Sequence, residues 1–153
     1  WQAQDPVQRR AVVMLDTQAA QVEFDGEHLR RVLVNLLDNA LRYMGPEPDS
    51  LCVATRTTPA GQVSLQVWSD GAPMDKSVER HLFEPFFSSE SRSSGLGLYI
   101  CRELCERHGA TISYQRVPRH TERGLVQGNA FVVAFRAQRP VAGVDDALDT
   151  PLV

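Results

Sequence analysis

The strongest amphipathic pattern in the chain lies over residues 25–44, DGEHLRRVLVNLLDNALRYM. Leu29, Val32, Leu33, Leu36, Leu37 and Ala40 recur at three- and four-residue steps, which predicts a helix with one buried face. Asp25 is the expected N-cap, and Gly45, Pro46 and Pro48 stop the helix. Before it, the apolar runs at 11–15 and 22–24 predict two short strands, and the polar residues 1–10 predict a linker. After it, 51–57 and 63–69 are rich in β-branched residues and flank a turn with Pro59 and Gly61, the pattern of an antiparallel hairpin. A short helix is expected at 75–82, then an aromatic knot, FEPFF (83–87), then SSESRSS (88–94), whose small polar residues predict a mobile loop. Gly95-Leu96-Gly97-Leu98 opens a second long helix running to about His108, with Gly109 as its C-terminal glycine. Residues 110–116 and 130–136 read as the last strands, 117–129 as a polar loop, and 137–153 as a disordered tail. Helices separated by antiparallel strands predict one α+β domain over 11–136, a two-layer sandwich with a mixed, mostly antiparallel sheet and helices on one face.

Composition changes this picture little. The 153 residues suit one domain with a real core. A net charge of −3 and a single lysine, Lys76, argue against nucleic-acid binding and make arginine the expected phosphate-binding cation. No apolar run approaches the ~18 residues of a membrane span. The cysteines, Cys52, Cys101 and Cys105, have no CxxC spacing, and buried thiols are the plainer reading than a disulfide framework or a zinc site. The chain opens at Trp1, not Met, and is expected to be a piece of a longer protein.

Candidate chemistry begins on the first helix. Asn35, Asn39 and Arg42 fall at i, i+4 and i+7, on a stripe beside the core face. Asn is a mediocre helix former, but its amide oxygen is a neutral, hard ligand suited to Mg2+, and arginine is suited to phosphate. Solvated amides remain the alternative for this helix alone. The Gly95–Leu98 turn can offer backbone amides and the positive end of a helix to phosphate, although a Gly-x-Gly by itself is equally a tight helix entry.

Taken in order, NLLDNALRY, SDGAP, FEPFF and GLGLYIC resemble the N, G1, F and G2 boxes of the catalytic ATP-binding domain of sensor histidine kinases, a member of the Bergerat (GHKL) ATPase fold. The wording FEPFF followed by a short serine-rich lid is similar to the nitrogen- and pilus-regulating kinases. The resemblance implies ATP and Mg2+ as cofactors. It implies that Asn39, with Asn35 as a second contact, ligates the metal; that Arg42 reaches the phosphates; and that these three residues carry the catalytic role. It also implies that Tyr43 packs on adenine, that Gly71 lets the base approach the backbone, that Phe86 and Phe87 anchor the lid, and that Gly95, Leu96, Gly97 and Leu98 meet the phosphates. Arg92 is the one cation of the lid, and Ser94 adjoins the phosphate segment.

The sequence departs from the family pattern in three places. The adenine-binding aspartate of the G1 box is Ser69, and Asp70 stands one position along, where on a strand it faces the other way. Either the Ser69 hydroxyl with a water serves adenine, or the turn is shifted and Asp70 does. Losing a charge-assisted bond there is worth ~1.5–3 kcal/mol of affinity. The last G1 glycine is Pro73; Ser93 replaces the leading G2 glycine, and Glu90 the basic residue after FEPFF. Three functions compete. In the first, the domain donates the γ-phosphate of ATP to a histidine on a separate dimerisation and phosphoacceptor domain, for relay to a response regulator. In the second it is a degenerate nucleotide-binding regulatory module. In the third it is a GHKL ATPase. Asn35 stands where such ATPases carry a water-activating carboxylate and cannot act as a base, which favours the first over the third. None of His28, His81, His108 or His120 reads as the phosphoacceptor. The parent is then expected to be a homodimer anchored in the bacterial inner membrane, with this domain cytoplasmic.

Overall fold

The computed structural model describes residues 11–15, 21–87 and 95–137. Its sheet has five strands, β1 (Ala11–Leu15), β2 (Leu51–Thr57), β3 (Val63–Ser69), β4 (Thr111–Thr121) and β5 (Gly124–Ala134), in the order β1-β2-β3-β5-β4. Only the β1–β2 pair is parallel; the other neighbours are antiparallel. The helices are α1 (Gly26–Tyr43), the single turn α2 (Lys76–Glu79) and α3 (Gly97–Arg107). This is the mixed, mostly antiparallel α+β sandwich expected.

The core lies between one face of the sheet and α1 with α3. Val32, Leu36, Leu37 and Ala40 of α1 and Cys101, Leu104 and Cys105 of α3 pack on Leu65, Val67, Phe131 and Val133, all buried. The Asp25 carboxylate accepts from the amides of Glu27 and His28, both at 3.0 Å, so α1 starts where the pattern placed it. The far end of this layer is closed by two imidazoles, His28 Nδ1 and His108 Nε2, 2.9 Å apart, with the Phe24 ring 4.3 Å from that of His108. Gly109, at φ 70°, ends α3, and the Ala110 amide donates back to the Cys105 carbonyl at 2.9 Å.

The opposite face of the sheet carries a smaller cluster, Cys52, Ala54, Trp68 and Ala130. Trp68 is fully buried; its indole N–H donates to the Val117 carbonyl at 3.0 Å, and the Arg119 guanidinium lies 5.6 Å above its ring. A Cβ on Gly128 would come within 2.3 Å of Trp68 Cε2 and 2.4 Å of the Ser69 carbonyl oxygen, so only glycine lets β5 pass this close.

Three expectations change. Residues 22–24 pair with no strand; Val22 and Phe24 are apolar because they pack against the core. Residues 117–129 are not a loop: β4 and β5 run out to the Thr121–Gly124 pair, joined by Glu122 and Arg123. The stretch reads as polar because few of its side chains are buried. Pro118 is tolerated because β4 is an edge strand. The short helix is only Lys76–Glu79, followed by turns that end at Phe86, whose φ of 61° is the only positive value among the described non-glycine residues. The linker at 1–10, the lid at 88–94 and the tail from 138 onward lie outside the described residues. Among the described residues, no helix is long and apolar enough to cross a membrane.

Candidate functional site

The stripe on α1 opens onto a cavity of about 660 Å3, within the range of small-molecule sites. Asn35, Asn39, Arg42 and Tyr43 form one wall, and Gly95, Gly97 and Leu98 at the start of α3 face them. Pro73, Met74, Val78 and Leu82, from the turn after β3 and from α2 with the turn that follows it, give the cavity an apolar end. Helical spacing on α1 and the entry to α3 therefore converge, although residues 35 and 97 are far apart in sequence.

Local chemistry gives the two ends different character. Asn35 Nδ2 donates to the Gly97 carbonyl, a long bond at 3.4 Å, which leaves the amide oxygen as the atom available to a ligand. No side chain among the described residues caps α3, so its first turn presents backbone amides and the positive end of the helix to the cavity. Among the described residues no group of three or more His, Cys, Asp or Glu could cage a metal. Two amide oxygens suit instead a hard cation that takes most of its ligands from a bound phosphate and water. Arg42 is exposed, and Tyr43 is 39% exposed at the rim.

The G1 residues divide. Pro73 lines the cavity, but Ser69, Asp70 and Gly71 do not, and neither does Leu96 of the G2 turn. Asp70 is turned to the other side, as its strand parity requires. Its carboxylate accepts from the Gly45 amide at 2.8 Å, the Ser50 hydroxyl at 2.8 Å and Arg123 Nη2 at 2.9 Å. Burial alone would raise this carboxyl; the bonds from Gly45, Ser50 and Arg123 outweigh it and hold the pKa below the usual carboxylate range. The reading of Asp70 as a base contact therefore gives way to a structural one. Gly71 is required by the protein itself, since a Cβ there would meet the Tyr43 carbonyl oxygen at 2.8 Å. Phe87 lines the cavity, whereas Phe86 points into solvent at 79% exposure. Gly95 packs against the backbone of both: its Cβ would lie 2.6 Å from the Phe86 carbonyl carbon. Arg92 and Ser94 lie outside the described residues.

Asn129 is among several lining residues that were not anticipated. Asn129 lines the cavity at its apolar end and is 5% exposed. Its Oδ1 accepts from the Tyr114 hydroxyl at 2.5 Å and Arg116 Nη1 at 3.0 Å, and its Nδ2 donates to the Ala72 carbonyl at 2.8 Å. Arg116 Nη1 also donates to the Gly71 carbonyl at 2.6 Å. The carbonyls of the turn after β3 are thus held from β4 and β5. The Gly128-Asn129 pair just before the apolar run 130–135 was the only sequence signal of this.

Comparisons with known proteins give the family and the fold. The family model described as histidine kinase-, DNA gyrase B-, and HSP90-like ATPase matches residues 24–139. The chain is 35% identical over 125 residues to the sensor protein kinase PilS of Pseudomonas aeruginosa, covering 80% of this chain and 22% of that protein. It is 31% identical over 118 residues to the sensory histidine kinase/phosphatase NtrB of Salmonella typhimurium, covering 70% of this chain and 33% of that protein. The chain therefore spans between a fifth and a third of the length of these relatives. Among solved structures it is similar to the catalytic domain of histidine kinase ThkA in a nucleotide-free form, with a TM-score of 0.64 and 26% identity over 84% of this chain and 80% of that one. The mycobacterial sensor histidine kinase MprB, 22% identical, shares the fold at a TM-score of 0.64 over 84% of this chain and 86% of that one.

Proposed function

The chain belongs to the histidine kinase-, DNA gyrase B- and HSP90-like ATPase family, and from that premise we propose that it is the ATP·Mg2+-binding catalytic domain of a two-component sensor histidine kinase. In this reading it donates the γ-phosphate of ATP to a histidine on a separate dimerisation and phosphoacceptor domain, from which a response regulator receives it. The observation that carries the proposal is the convergence of Asn35, Asn39 and Arg42 with the N-terminal end of α3 in one cavity.

Each group has a physical part. Asn39 and Asn35 would hold Mg2+ through their amide oxygens, and the ion would supply charge neutralisation on the phosphate oxygens. Arg42 offsets charge that develops on the transferring phosphoryl group, and the α3 amides orient it. Tyr43 flanks the base. Arg92 and Ser94 of the lid are proposed to cover the phosphates. No carboxylate stands at position 35 to activate water, so an acceptor that is itself nucleophilic, a neutral histidine, fits the site better than hydrolysis does. Three of the four described histidines have other work: His28 and His108 bond each other, and His81 Nδ1 lies 2.9 Å from Glu84 Oε1. A phosphoacceptor elsewhere in a dimeric, membrane-anchored parent accords with that.

Calorimetric titration with ADP and ATP, with and without Mg2+, tests the reading. Micromolar to sub-millimolar binding is expected, and Asn39→Ala is expected to remove its dependence on Mg2+. Metal-dependent binding unchanged in that variant would withdraw the assignment of Asn39, and no nucleotide binding by the parent chain would overturn the function.

A further inference from the structure

If the site takes a nucleotide as proposed above, its polar end receives the phosphates and its apolar end the base. The sheet backs that apolar end: Asn129 lines it, and Ser69, which does not line it, stands beside Asn129. Ser69 and Asn129 are directly opposed across β3 and β5, and opposed residues in an antiparallel pair project to the same face. Here it is the helix-side face, because Val67 and Phe131, each two positions away, belong to the helix-side core. Both side chains are neutral and 5% exposed. The Asn129 oxygen is already taken by Tyr114 and Arg116, while its nitrogen gives one hydrogen to Ala72 and keeps a second. The Ser69 hydroxyl can rotate to donate or to accept.

Among the described residues no buried carboxylate lines this end. Asp70, the nearest acid in sequence, is committed to Gly45, Ser50 and Arg123. Asp38 and Asp75 touch the cavity but are exposed, where water competes for their hydrogen bonds. The consequence is chemical. Adenine presents an amino donor beside a ring-nitrogen acceptor, whereas guanine presents a carbonyl acceptor beside a ring N–H donor. A carboxylate only accepts, so it rewards the adenine amino group and repels the guanine carbonyl. The spare amide N–H of Asn129 can meet either the ring nitrogen of adenine or the carbonyl of guanine.

We propose that Asn129, with the neutral Ser69 beside it, makes the base end of this site indifferent to the exocyclic group of a purine, so that the chain binds guanine and adenine nucleotides with similar affinity. The inference concerns the base alone and rests on the nucleotide reading for the rest of the site.

The test is calorimetry with ADP, ATP, GDP and GTP, each with Mg2+, on the unmodified chain and on Asn129→Asp. In that variant one oxygen keeps the Tyr114 and Arg116 donors, and the other gives up the bond to the Ala72 carbonyl and is an acceptor only. The unmodified chain is expected to bind GDP and ADP within about tenfold of each other. Asn129→Asp is expected to shift the ratio towards ADP by about tenfold or more. Should Asn129→Asp fail to fold, Ser69→Asp carries the same readout from the facing strand. A preference for ADP beyond about tenfold in the unmodified chain overturns the proposal, as does a ratio unmoved in the variant that folds. If no nucleotide binds, the functional reading itself fails; if ADP binds and GDP does not, only this inference does.

Discussion

Replacing Asp70 with alanine separates its structural role from a base-binding one. The carboxylate is 6% exposed and serves three donors at 2.8–2.9 Å. Ser50 is fully buried, so its hydroxyl loses a partner that water cannot readily replace, and the half-buried Gly45 amide loses one too. At about 1–2 kcal/mol for each of these groups, and less for Arg123, which is 35% exposed and keeps Asp49 at 2.8 Å, the total comes to about 3 kcal/mol. For a domain of this size that is a fall in Tm of roughly 6–12 °C. Arg123→Ala should cost about 1 kcal/mol, because Asp70 keeps its other two donors. Urea denaturation followed by tryptophan fluorescence measures both, with Trp68 buried in the native state. At temperatures where Asp70→Ala is folded, ADP affinity should stay within about threefold, since the carboxylate faces away from the cavity. A loss below about 1 kcal/mol, or collapse of binding in a folded variant, would refute this account. Acid provides an independent check. The folded pKa of Asp70 is depressed below its ordinary 3.8, so its contribution is present above that value and is lost as pH falls through the folded one. The stability gap between the parent chain and Asp70→Asn should therefore be widest above about pH 4 and close on further acidification.

Other outcomes follow from packing. Gly128→Ala should cost about 3 kcal/mol or more, because its Cβ meets Trp68 and the Ser69 backbone. Gly26→Ala should be neutral or slightly stabilising, since nothing lies within 4 Å, and thermal melts of the two distinguish them. All three cysteines are buried, and burial pushes Cys101 up to about 12, helped by Cys105 beside it, and Cys105 up to about 11. Native protein at pH 8 should thus react with a chromogenic disulfide only as fast as it opens, and three thiols should titrate in denaturant. Rapid stoichiometric labelling of the folded chain would contradict the packing of α3.

What could be read in advance was local. The α1 stripe was legible because helical geometry fixes the direction of residues 35, 39 and 42 whatever surrounds them. The β2–β3 hairpin was legible because its turn and its alternation agree. Asn129 was not, because its importance comes from facing Ser69 on β3 and Arg116 on β4, with Tyr114 two rungs along. No short-range pattern encodes a cross-strand register. The outer half of the β4–β5 hairpin was hidden for a related reason: few of its residues are buried, so it lacks the apolar alternation that marks a strand. Residues 22–24 misled in the opposite sense, being apolar for the sake of His108 and Phe135, not of a neighbouring strand.

The contact of Gly95 with the backbone of Phe86 and Phe87 also bears on how this chain can change over evolutionary time. The rest of the fold already holds those two points together, so the segment between them is bridged at both ends before its own sequence contributes anything. Doubling its length adds only about 0.6 kcal/mol of closure entropy. Changes of chain length between Phe87 and Gly95 are thus expected to cost the domain little, and thermal melts of such variants measure it.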